Sequence, residues 1–250
     1  MRALAAVKGR VVFILVVMLL LQLTYPLSLV SSLYNSIYFV VYLGLLASGI
    51  HVTGTTRTRL SIAIGVSAVT LAAGIPWVLT SGDNLWLTLI TFLGLVSFQV
   101  LIVAVLLEYI FYEQEVNRSV VYAALTIYIL LGNIFSAIYN IIQIFDDKAF
   151  ASSIFDTPLI WQHVVYFSYA TLTSLGYGDI TPRSAWAQSV VAIEAMIGLL
   201  YIAIIIGRLV SVYSTDALQA EVAASKLSPK ADTSDANTLS ANTSDVNTPN

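Results

Sequence analysis

Cysteine is absent from all 250 residues. Disulfides, thiolate nucleophiles and thiolate metal sites are therefore excluded. Charge is scarce: Asp, Glu, Lys and Arg make up 10% of the chain, where a soluble domain carries about 25%. Histidine occurs only as His51 and His163, too far apart in sequence to suggest a metal pair. No nucleophile–base or metal-ligand constellation is visible, which argues against an enzyme. The net charge of −3 is small and argues against a nucleic-acid partner. What fills the chain instead is apolar: 58% of residues are hydrophobic and the mean hydropathy is +0.85. This is the composition of an integral membrane protein whose solvent is the lipid bilayer.

The apolar residues fall into runs of membrane-spanning length, which takes about 20 residues in a helix. The first run covers 11–32 and follows a basic start at Arg2, Lys8 and Arg10. Pro26 is placed to kink it or to end its regular part. A secretory signal peptide is the alternative, but the run exceeds the core of about 7–15 residues such a peptide needs. Further spans are expected at about 36–52, 60–80, 85–107, 119–144 and 185–212. Ser81-Gly82-Asp83-Asn84 reads as a tight turn. The expected fold is an all-α membrane protein with six transmembrane helices.

Between the fifth and sixth spans lies a segment of another kind. Residues 158–172 are too short to cross a bilayer and rich in aromatics: Trp161, Tyr166, Phe167 and Tyr169. Asp156-Thr157-Pro158 predicts a helix start, with a capping side chain before Pro at the first helical position. The helix opens into Thr171-Leu172-Thr173-Ser174-Leu175-Gly176-Tyr177-Gly178-Asp179. Gly176 and Gly178 lack a Cβ and can adopt backbone angles that turn successive carbonyls toward one side. A cation leaving water needs its hydration oxygens replaced, and a row of carbonyls can do so.

This string, between two apolar spans and after a short helix, resembles the selectivity-filter signature of the K⁺-selective pore-loop channels, of the six-transmembrane prokaryotic type. The resemblance is strongest over 119–213, the expected pore domain. It implies a re-entrant pore helix at 158–172 and a filter at 173–179 between helices five and six. It further implies that K⁺ is held at Thr173, Ser174, Leu175, Gly176, Tyr177 and Gly178. The ion-facing oxygens would be the carbonyls of Ser174 to Tyr177 and the Ser174 hydroxyl. Ser174 stands where the family most often has Thr, and Leu175 where it has Val. K⁺ would be the permeant ion, with no cofactor and no other metal. A conduction path needs four filters around an axis, so the implied partner is the chain itself, as a homotetramer. No soluble ligand is identifiable.

Asp179 would stand just outside the filter. Tyr166 lies where the family commonly places a Trp that bonds this Asp; its hydroxyl could do the same, or the residue could belong to an aromatic belt. Glu194 lies near the middle of the sixth span, where a carboxylate is costly and faces protein or water. Three readings are open for it: a hydrogen-bonded strut behind the filter, a cation-attracting ring, or a proton-sensing gate. The strut is preferred. Gly198 occupies the position of a gating hinge in this family; close packing between helices is the other reading. Gly207 is a weaker hinge candidate. His163 reads as a helix-surface residue.

Orientation follows from the basic residues. Nine of the eleven Lys and Arg fall on the side of the N-terminus; Lys148 and Arg183 fall on the other. The positive-inside rule then puts both termini in the cytoplasm of a plasma (inner) membrane. Asp83, Asp146, Asp147, Asp156 and Asp179 collect outside, either as a cation-concentrating ring or as solvated loop acids. Residues 1–10 form the cytoplasmic start, 11–112 a four-helix domain laid out like a voltage sensor, and 214–250 a disordered tail poor in apolar residues. No Lys or Arg occurs between Arg59 and Arg118. The fourth helix therefore carries no gating charge, and steep voltage gating is not expected. Alternatives within reach of the sequence are a weakly selective cation channel and a non-conducting regulatory subunit. A secondary transporter would show paired broken helices in two related halves, which are not seen.

Overall fold

The computed structural model describes residues 10–29, 32–54, 56–79, 84–113 and 118–227. The start through Gly9, the turn residues 81–83, Glu115 and the tail beyond Leu227 lie outside the described residues. The described chain is mostly helical: α1 (Val11–Thr24), α2 (Ser32–Thr53), α3 (Arg57–Leu79), α4 (Leu85–Tyr112), α5 (Arg118–Phe145), α6 (Trp161–Leu172) and α7 (Ala185–Leu227). A 3₁₀ turn at Tyr25–Leu29 follows α1, so the α-helix stops one residue before the Tyr25-Pro26 step. Two short strands, β1 (Phe150–Ser152) and β2 (Ile180–Pro182), pair antiparallel.

Among the described residues, five helices are long and apolar enough to cross a membrane: Val11–Ser28, Arg57–Trp77, Leu85–Tyr112, Arg118–Phe145 and Ala185–Arg208. Val40–Thr53 in α2 forms a shorter apolar stretch.

Two polar ties join helix ends among α1 to α4. Arg10, before α1, donates to the His51 carbonyl in α2 at 2.7 Å. Arg59, in the first turn of α3, pairs with Glu108 in the last turns of α4 at 2.7 Å. Asn84 caps α4, accepting from the Trp86 and Leu87 backbone N–H groups at 3.0 and 3.2 Å. Capping relieves two of the four donors that a helix start leaves without partners.

α5 takes part in both hydrophobic cores of the first unit, which runs through Ile206. Its buried positions Val120, Ala123, Ala124, Ile127, Leu130, Ile134 and Ala137 recur every three or four residues, one stripe of a helix. The first half of that stripe joins Ile14 and Met18 of α1, Leu45 and Leu46 of α2, and Phe98, Ile102 and Leu106 of α4 in one core. The second half, through Phe135 and Tyr139, joins Phe150, Leu159, Phe167, Ile180 and Ala187 in another.

Three sequence expectations need correction. α6 begins at Trp161 rather than 158, with Ile160 at its cap and no side-chain capping bond. Leu159 is buried, and the Gln143 side chain brackets its backbone: Oε1 accepts from Leu159 N–H at 2.9 Å and Nε2 donates to its carbonyl at 3.3 Å. That bracket holds the chain extended where the Pro signal predicts helix. Second, 150–152 is strand rather than loop. Third, the second unit, from Gly207, is helical through Leu227, so 214–227 is not disordered. Ala217, Ala220, Ala223 and Ala224 favour helix there, and the first helix breaker is Pro229.

Gly132 on α5 lets α6 approach closely: a Cβ there would lie 2.5 Å from Cε1 of Tyr169. Gly132→Val is expected to cost about 1–3 kcal/mol by overpacking. Gly65→Ala on α3, where a Cβ meets open space, should leave stability unchanged or slightly raised. Thermal unfolding of both variants in detergent checks this.

Candidate functional site

The loop Thr173–Asp179 joins α6 to β2, and its backbone changes hand at alternate residues. φ is +57° at Ser174, +53° at Gly176 and +78° at Gly178, and it is not positive at Leu175 or Tyr177. Glycine holds such angles without penalty. Ser174 does not, and a non-glycine residue there stores about 1–3 kcal/mol, retained only where the surroundings leave no alternative.

The surroundings supply that constraint from α6. The Ser174 N–H donates to the Thr171 carbonyl at 2.9 Å. The N–H groups of Leu175 and Gly176 both donate to the Ala170 carbonyl, at 2.8 and 3.2 Å. Thr173 donates to Tyr169 O through both its N–H (3.1 Å) and its hydroxyl (2.7 Å). The last carbonyls of a helix have no intrahelical partners, and here the loop itself provides them. Thr173 to Gly178 are exposed in the single chain, with the Leu175 and Tyr177 side chains 55% and 67% accessible.

At the far end, the Tyr166 hydroxyl donates to Asp179 Oδ2 at 2.7 Å. That bond pushes the Tyr166 hydroxyl up to about 12. The neutral donor form is therefore favoured; its contribution is complete below the ordinary tyrosine range and is lost as pH rises through about 12. His163, one turn earlier, stacks on Phe155 with ring centroids 3.7 Å apart, and burial holds its imidazole below the usual range.

Behind the loop, Glu194 on α7 is 0% exposed. The Ser168 hydroxyl of α6 lies 2.5 Å from Glu194 Oε1 and 2.7 Å from the Gly132 carbonyl of α5. Having one proton, it satisfies one of the two at a time. The Tyr139 hydroxyl of α5 donates to Glu194 Oε2. One carboxyl thus joins three helices. One turn on, a Cβ at Gly198 would run into the Leu172 carbonyl at the end of α6. The same carbonyl accepts from the Tyr128 hydroxyl at 3.2 Å. Tyr128 in turn stacks on Tyr201 of α7 at 5.8 Å, whose hydroxyl donates to Ala124 O at 2.7 Å. A Cβ at Gly207, the weaker hinge candidate, meets nothing within 4 Å.

The structure therefore brings Tyr166 to Asp179, and Glu194 and Gly198 to α6. It adds residues that the sequence reading did not single out: Tyr139, Ser168, Gly132, Tyr128 and Tyr201. Ser168 and Gly132 are small residues in apolar helices, and their spacing to Glu194 in sequence carries no periodic signal. Among the described residues no group of His, Cys, Asp and Glu could hold a metal ion.

Removing the Glu194 carboxyl leaves the buried Tyr139 hydroxyl without its acceptor, at a cost of about 1–3 kcal/mol, while the Ser168 hydroxyl keeps the Gly132 carbonyl. Glu194→Ala is therefore expected to lower the unfolding temperature in detergent well below that of Glu194→Gln, which keeps one acceptor oxygen. Equal unfolding temperatures for the two variants would count against the bridging role.

Residues 119–215 match a family model described as ion channel. The matched stretch runs from α5 through the loop into α7, and so contains every group of the site above. No curated protein and no solved structure gives a match. The family match supports an ion channel built on residues 119–215.

Proposed function

We propose that this protein is a K⁺-selective channel that passes K⁺ passively through a pore formed by four copies of the chain. The observation that carries the reading is the alternation of backbone hand at 174, 176 and 178 in a short loop at the end of α6. Such alternation turns successive peptide planes the same way, so that carbonyl oxygens share one side and can stand in for a hydration shell. Thr173, Ser174, Leu175, Gly176, Tyr177 and Gly178 form the coordinating segment. Asp179, Tyr166 and Glu194 support it. Gly198, at the crossing of α7 with the end of α6, is the point about which α7 would bend to gate.

Exposure of Leu175 and Tyr177 in the single chain supports the fourfold assembly, since neighbouring copies around an axis would cover them. So does the outward face of α7, where Leu199, Leu200, Ile202, Ile204 and Ile206 are exposed. Six spans, with α2 as the second and α6 re-entrant, put both termini on the cytoplasmic side of the plasma membrane. A weakly selective cation channel is the second reading. It is favoured by Ser174, which lacks the branching methyl that would stiffen its χ1.

Reconstituted in liposomes with opposed K⁺ and Na⁺ gradients, the protein should reverse near the K⁺ equilibrium potential. A reversal potential midway between the two ions selects the second reading. Gly176→Ala forces a Cβ onto a residue at φ +53° and should abolish the K⁺ flux; a variant that still selects K⁺ refutes the assignment of the loop.

Voltage supplies a further test. Each charge crossing the field contributes only about 2.3 kcal/mol per 100 mV. α4 carries no Lys or Arg, and its one carboxylate, Glu108 in its last turns, is paired with Arg59. Open probability in symmetric K⁺ without divalent blockers should therefore change shallowly with voltage.

A further inference from the structure

The segment between α5 and α6, read from sequence as a plain loop, is built into the end of the coordinating loop. β1 pairs residue for residue with β2: Phe150 with Pro182, Ala151 with Thr181, Ser152 with Ile180. The pairing runs on at both ends. Beyond β1, the Ser153 N–H donates to the Asp179 carbonyl at 3.0 Å, and the Ser153 hydroxyl lies 3.4 Å from the same oxygen. Before it, Ala149 O accepts from the N–H groups of Arg183 and Ser184 at 2.7 and 3.3 Å.

The ladder is also anchored in depth. Phe150 and Ile180 are buried in the core that holds Tyr139 and Phe167. The rings of Phe150, Tyr139 and Phe167 form a closed triangle with centroids 5.4, 5.4 and 5.5 Å apart. Tyr139 is the residue that donates to Glu194. Asp179 is therefore gripped by its backbone through Ser153 and by its side chain through Tyr166.

A strained loop keeps its conformation only if both of its ends are held. α6 holds the inner end, through the bonds to Thr171 and Ala170. We infer that residues 149–153 are a strap that holds the outer end, with Ser153 and Phe150 as positioning residues for the coordinating loop. Releasing the strap lets Ser174 leave its left-handed angle, and the row of carbonyls is lost. The strap matters most when no cation sits among those carbonyls to keep them apart. This inference rests on the channel reading above.

The test uses the full-length protein in liposomes. Flux is measured after incubation in Na⁺ without K⁺ for increasing times, followed by return of K⁺. Ser153→Pro removes the N–H that bonds Asp179, while Ser153→Ala keeps it. The proline variant should lose recoverable K⁺ flux about fivefold faster than wild type, the factor expected for one hydrogen bond, and the alanine variant should follow wild type. A fold defect alone would not depend on K⁺, so storage in K⁺ should leave the variants alike.

A second arm does not depend on the proline variant folding. Residues opposite one another in an antiparallel ladder have Cα atoms about 4.5–5.5 Å apart, within disulfide range. The chain has no cysteine of its own. Ala151→Cys with Thr181→Cys should therefore cross-link on oxidation within one chain, and the oxidised form should outlast the reduced form in Na⁺. A pair that fails to cross-link, or a cross-linked protein that loses flux as fast as its reduced form, overturns the strap. Wild-type vesicles that pass no cation overturn the channel reading instead.

Discussion

The constraint on which the rest depends is the burial of one carboxyl. Glu194 sits within an apolar helix with no exposed surface. A carboxylate at such depth costs about 2.5–3.5 kcal/mol on insertion scales. The chain offsets this with hydroxyls from two other helices, Ser168 of α6 and Tyr139 of α5. Meeting the requirement of Glu194 therefore fixes α7 against α6 and α5 together. Small residues complete the arrangement, because Gly198 makes room for the Leu172 carbonyl and Gly132 for the Tyr169 ring, where a Cβ would intrude.

With α6 placed, the loop after it is placed too. Its donors turn back onto Tyr169, Ala170 and Thr171, so the end of α6 and the start of the loop satisfy one another. The outer end is met by Tyr166 and by the ladder from β1. Tyr139 belongs to both arrangements: its hydroxyl reaches Glu194, and its ring packs on Phe150 and Phe167. Glu194 and the β1–β2 ladder therefore share the Tyr139 side chain.

Much of this was legible beforehand, for identifiable reasons. Long apolar runs mark helices because bilayer thickness sets their length. The string from Thr171 to Asp179 is local, so its glycines could be read directly. Glu194 stood out because a charge in an apolar run needs a cause. Its partners did not stand out, since Ser168 and Tyr139 lie 26 and 55 residues away and are ordinary in their own helices. β1 and β2 have three residues each, too short for an alternating pattern to declare itself. The start of α6 was misread because Pro158 is a sound local signal. Gln143, which overrides it, is 16 residues away from Leu159.

The helices before α5 pose the remaining physical question. A membrane potential does work only on charge that moves through it, and α3 and α4 contain no Lys or Arg after Arg59. What these helices do offer α6 is contact through α1 and the turn after it. The Gln162 amide, in the first turn of α6, donates to the Ser28 hydroxyl at 3.0 Å. Deeper down, the Asn133 amide lies 3.9 Å from the Met18 sulfur and 3.0 Å from the Tyr169 hydroxyl. Both ends of α6 are thus tied, directly or through α5, to α1 and the turn that follows it. Tyr169 is also the residue whose carbonyl receives Thr173. The ties to α1 and its turn are contacts between uncharged side chains, so they hold without placing charge in the apolar region.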